Sequence, residues 1–139
     1  MGGYGNYIPR ADRFGTAIAD GNWAGTKVSS DLANPGARGV AIYLNVGTAS
    51  AGGTLSMGVE DKDPVSGAYD SIYNSVDVTA NWVTAAGRRA AVIYPGAVET
   101  SARANYHYQG VPLPRTWRVT AKDTAGGTWS YSVGYEYLP

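Results

Sequence analysis

The chain of 139 residues contains no cysteine. Disulfides and thiolate metal sites are therefore excluded, and stability must come from a packed core or from assembly. It has a single histidine, so a zinc site would need an unusual carboxylate-rich ligand set. Charge is scarce too. Asp, Glu, Lys and Arg make up 16% of the residues, with 11 acids balancing 11 bases. That share is below the roughly 25% usual in globular chains. A formal charge of zero gives no overall pull toward nucleic acid or a membrane, and neither is expected as a partner. No apolar run approaches the roughly 20 residues needed to span a bilayer. The opening residues lack a charged-then-apolar leader, so synthesis and retention in a cytoplasm are expected.

Other residue types are abundant: 19 Gly, 11 Tyr and 4 Trp. Low charge with many tyrosines suits a surface that touches other protein, or a small all-β domain with many turns. The clearest pattern begins at Leu113-Pro114-Arg115-Thr116-Trp117-Arg118-Val119-Thr120. The prolines bring the chain in extended. Trp117, Val119 and Ala121 then fall on one side, and Thr116, Arg118 and Thr120 on the other. Trp129, Tyr131, Val133, Tyr135 and Tyr137 alternate against Ser130, Ser132, Gly134 and Glu136. This period of two marks strands with one buried face, and the two runs are expected to form a closing hairpin.

Earlier strands follow the same rule. Val40, Ile42, Leu44 and Val46 alternate with Ala41, Tyr43 and Asn45, and Leu55, Met57 and Val59 form another inward set. Shorter strands are expected near 14–20, 27–32, 68–73 and 89–94. Asp20-Gly21, Asn34-Pro35-Gly36, Asp63-Pro64-Val65-Ser66-Gly67 and Pro95-Gly96 are turn signals. The small residues of Gly47 to Gly53 suit a hairpin connection, Ser101 to Asn105 one helical turn, and Tyr106-His107-Tyr108 a crossing loop. No stretch supports a long amphipathic helix. The expected fold is an all-β antiparallel sandwich or flattened barrel over 13–139, preceded by an extended N-terminal arm over 1–12.

Three of the arm's first five residues are glycine, yet it carries Tyr4, Tyr7 and Ile8. It reads either as a frayed terminus or as a segment that orders on a partner. In the second case Tyr4, Tyr7 and Ile8 are candidate interface residues, and so are Trp23 and His107. Tyr43, Tyr73 and Trp82 join them if they are exposed.

No arrangement of residues carries catalysis. His107 sits between Tyr106 and Tyr108, and the chain has no Gly-x-Ser-x-Gly elbow. Asp61-x-Asp63-x-Val65-x-Gly67 starts like a calcium loop, but Val65 and Ile72 stand where ligands belong. The expectation is a protein without enzymatic activity, cofactor or metal. Its tyrosines and tryptophans also admit a sugar-stacking platform, so carbohydrate is a lesser candidate ligand.

Five motifs in order carry a resemblance: Asn34 to Gly39, Lys62 to Gly67, Tyr94 to Gly96, Leu113 to Arg118 and Tyr131 to Gly134. The chain from about Lys27 to Leu138 resembles a group of small virion proteins of tailed bacteriophages. The resemblance implies a particle component on the capsid surface, namely a head decoration or minor capsid (cement) protein. Its partners would be the major capsid protein and further copies of itself. A tail or head–tail component is the alternative. Arg115 and Arg118 are expected to form a charge-assisted network at the start of their strand.

Overall fold

Buried side chains alternate with half-buried or exposed ones through β9 (Thr116–Asp123) and through β10 (Thr128–Leu138) as far as Val133. A computed structural model describes residues 13–98, 105–124 and 127–139. The arm over 1–12 lies outside the described residues, with Tyr4, Tyr7 and Ile8, as does nearly all of the helical turn expected at Ser101 to Asn105. The preceding elements are β1 (Phe14–Ala24), β2 (Thr26–Val28), β3 (Leu32–Ala33), β4 (Gly39–Thr48), β5 (Leu55–Lys62), β6 (Tyr69–Asn74), a one-turn helix α1 (Ser75–Val78), β7 (Gly87–Ile93) and β8 (Tyr106–Gln109).

The strands form two sheets packed face to face. One has the order β1-β10-β4-β7-β8; the other has β2-β9-β5-β6, with β3 also paired to β9. The chain is thus nearly all β and a sandwich, as its alternation predicts. Val40, Ile42, Leu44, Val46, Ala91, Ile93, Tyr131 and Val133 face inward from the first sheet. Leu55, Met57, Val59, Trp117, Val119 and Ala121 meet them from the second. Burying so many large apolar side chains, at about 1.5–3 kcal/mol each, is the main stabilising term in a chain without disulfides.

Three expectations need correction. β9 and β10 do not form a hairpin, because they lie in different sheets. Trp117 instead meets Tyr135 and Tyr137 edge-on across the interior, at 5.4 and 6.0 Å between ring centres. Gly47 to Gly53 likewise leads from one sheet to the other, since β4 and β5 are in different sheets. Finally, Tyr106-His107-Tyr108 is a strand, and it pairs parallel with β7, with Ala91 opposite His107. The sandwich is therefore antiparallel except at this edge.

Asp20-Gly21 is not a turn but lies inside β1, at a register shift against β10, whereas the signals at Asn34 and Asp63 are turns with clear physical causes. Asn34 Oδ1 accepts from the Gly36 and Ala37 amides, while its Nδ2 donates to the carbonyls of Ala37 and Leu113. One side chain thus closes the turn and ties it to the approach to β9. Asp63 Oδ1 accepts from the Val65 and Ser66 amides, and Gly67 takes the left-handed φ of 77° that closes the β5–β6 hairpin. The segment resembling a calcium loop is thus a turn in which Asp63 caps its own backbone.

Candidate binding face

The residues singled out by sequence end up in different places. His107 is 2% exposed. It points inward from β8, stacks on Trp82 at 3.6 Å between ring centres, and shares a 2.8 Å hydrogen bond through Nδ1 with the Tyr73 hydroxyl. Burial pushes its pKa down from 6.5 to about 4, so the ring is neutral at pH 7. His107 was expected at an interface or in a loop. In this fold it is a core residue, because the residue on the inner side of an edge strand lies under the opposing sheet. Tyr73 and Trp82 are buried with it.

Trp23 is half-buried at the end of β1, paired in register with Trp129. Its Nε1 donates to the Ala19 carbonyl at 3.1 Å, and the Lys27 ammonium sits 4.0 Å above its ring. One face of the indole is thus taken by a cation from its own chain.

The outer face of the second sheet is internally paired. Arg118 Nε donates to Glu60 Oε1 at 2.7 Å, directly across the β5–β9 ladder. Its guanidinium also lies 3.3 Å from the centre of the Tyr69 ring. Lys62 Nζ donates to Asp31 Oδ2 at 2.7 Å, and the Tyr69 hydroxyl donates to Asp31 Oδ1 at 2.6 Å. Those two bonds hold the Asp31 carboxyl below its usual 3.8. The network expected at Arg118 is therefore present, whereas Arg115 is exposed and supplies its backbone carbonyl to the Asn34 amide.

The outer face of the first sheet is different. Hydrogen-bonded neighbours place Gly134, Tyr43, Ala90 and Tyr106 in one row across β10, β4, β7 and β8. Large and small residues alternate along it. Two strand spacings, or about 9–10 Å, separate Tyr43 from Tyr106 with only a methyl group between them. The adjoining row is Ser132, Asn45 and Arg88. Together with Leu44, Arg89 and Asn105 these residues line a groove of about 450 Å³. Tyr43 is 44% and Tyr106 is 39% exposed. Arg89 turns its guanidinium onto the backbone carbonyls of Arg88 and Trp82, leaving Arg88 as the exposed cation. Among the described residues no carboxylate lines the groove; Glu136 stands in the next row, opposite Ala41. Burial and Glu136 raise the Tyr43 phenol, which stays a neutral donor.

Sequence reading reached Tyr43 only as conditionally exposed and missed its neighbours. They come from four strands, and no motif links them along the chain. Among the described residues no three His, Asp or Glu side chains converge as a metal site. No protein-family model matches the chain, and no curated protein matches it.

Proposed function

We propose that this protein is a non-enzymatic structural component of a tailed-phage virion, a head decoration (cement) protein that binds the major capsid lattice and self-associates there. The observation that carries the reading is the ordered motif set from Asn34 to Gly134. Those residues are framework: Asn34 ties its turn to Leu113, Asp63 caps the β5–β6 turn, the Tyr94 hydroxyl donates to the Pro139 carbonyl, and Arg118 pairs with Glu60. A shared framework with a free outer face on the first sheet suits a family that keeps its shape and varies its contacts. Many copies on a symmetric lattice let a modest interface hold by avidity. The Tyr- and Gly-containing arm would add contacts at each copy, and backbone pairing to a neighbour's sheet edge would offset its ordering entropy.

Copy number on purified virions, counted against the major capsid protein by quantitative mass spectrometry, tests this. A count comparable to the lattice supports decoration. A dozen or fewer places the protein at the portal vertex or tail, and absence from virions overturns the proposal. Deleting Met1 to Arg10 is expected to leave the domain folded and lower particle occupancy; equal occupancy would remove the arm from the account.

A further inference from the structure

Apart from Ser132 and Gly134, the residues lining the groove on the first sheet lie outside the motifs just described. We infer that it binds an acidic oligosaccharide, with a sugar ring seated over Ala90 between Tyr43 and Tyr106 and its carboxylate at Arg88.

Three observations carry this. First, the slot is bounded by two exposed aromatic rings on a floor of one methyl group. A spacing of about 9–10 Å leaves room for one saturated ring against the aromatic walls, of which Tyr106 also lies nearly parallel to Tyr108 at 6.5 Å between ring centres. Second, the remaining lining is rich in side-chain donors and acceptors, namely Asn45, Asn105 and Ser132, which match hydroxyl groups. Third, Arg88 is an exposed cation in a groove that no carboxylate of the described residues lines. Its planar fork matches a carboxylate, and that fixes the sign of the ligand's charge.

A peptide fits less well. The backbone groups of β10, β4 and β7 beneath the groove are already paired within the sheet, so the floor of the groove offers no ladder to an added strand. The aliphatic lining residue, Leu44, is buried and offers no pocket for an apolar side chain. The site stands apart from the virion reading, since it is assayed on the purified full chain without particles.

The test is calorimetric or NMR titration with trigalacturonic acid, its methyl ester, a Glu-containing hexapeptide and inorganic phosphate. The acid is expected to bind, and the ester to bind about tenfold more weakly, the scale of one charge-assisted pair. Tyr43→Ala and Tyr106→Ala should each lower affinity for both sugars by about tenfold. Arg88→Gln should erase the difference between acid and ester. Gly134→Val, which adds bulk beside Tyr43 where only the Gly15 carbonyl is near, tests the groove without removing a contact. Absence of binding by the acid, or binding unchanged in Tyr43→Ala, overturns the inference. So does hexapeptide binding with the same sensitivity, which would identify a protein partner. Response to phosphate alone would reduce the site to an anion contact at Arg88 and overturn the sugar slot.

Discussion

The two outer faces of the sandwich use similar residues to opposite ends. On the second sheet Arg118, Glu60, Lys62, Asp31 and Tyr69 satisfy one another. On the first, Tyr43, Tyr106 and Arg88 stand exposed around a groove. A tyrosine and an arginine therefore signify little as types. When the arginine lies over the ring and also meets a carboxylate, both are occupied. When small residues separate them, both remain open to an outside group. Breaking the Arg118–Glu60 pair on the second face should change stability and leave binding alone, and substitutions on the first face should do the reverse.

Both faces rest on one interior, so charging that interior should have the largest effect. His107 has a folded pKa of about 4 against an ordinary 6.5, so the unfolded chain takes up the proton first. Its contribution to stability is complete above pH 6.5 and falls as pH drops toward 4. The full loss is up to about 3 kcal/mol. Asp31 and Asp63 are lowered too, below 3.8, by the hydrogen bonds their carboxylates accept, so their contributions disappear only in more acid solution. Denaturation midpoints measured across pH should show the two windows separately. His107→Gln should flatten the upper one alone; a slope that persists would remove His107 as its source.

Next in size is Arg118→Ala, expected to cost about 1–2 kcal/mol through the lost carboxylate bond and ring contact. The Arg118 and Glu60 side chains are only 25% and 24% exposed, so salt should blunt this cost only partly. Equal stability of Arg118→Ala and the unmodified protein in urea would erase the contrast between the faces. Tyr43→Ala, by comparison, should stay within about 0.5 kcal/mol of the unmodified protein, as surface changes usually do. A larger loss in the same assay would make Tyr43 a packing residue. The smallest effect is assigned to Lys62→Met. Its bond to Asp31 joins two solvent-accessible charges, so its melting temperature should match that of the unmodified protein once salt is raised.

Much of this fold was legible because strand side chains alternate with period two. The inward sets on β4, β5, β9 and β10 all follow that rule. Periodicity assigns a face, though, and not a partner. Nothing local distinguishes a β9–β10 hairpin from two strands that face each other across a core, and the latter is what Trp117 and Tyr135 reveal. On β7 the inner side is Ala91 and Ile93, but Ala90 and Val92 on the other side are apolar too, so alternation there assigns no face. β8 spans four residues, too few for alternation to show, and so His107 passed for a loop residue. The groove was hidden for a related reason: Gly134, Tyr43, Ala90 and Tyr106 become neighbours only once the ladders form.

Among the described residues β8 is bound to its sheet on one side only, by the parallel ladder to β7. Consecutive residues of this short strand serve both sides of the molecule: Tyr106 forms a wall of the groove, and His107 fills the core. A single local opening of β8 would thus dismantle the wall and wet the imidazole together. Amide exchange along Tyr106–Gln109 and proton uptake by His107 are two readouts of that opening. Any molecule that grips Tyr106 suppresses both by the free energy of its own binding.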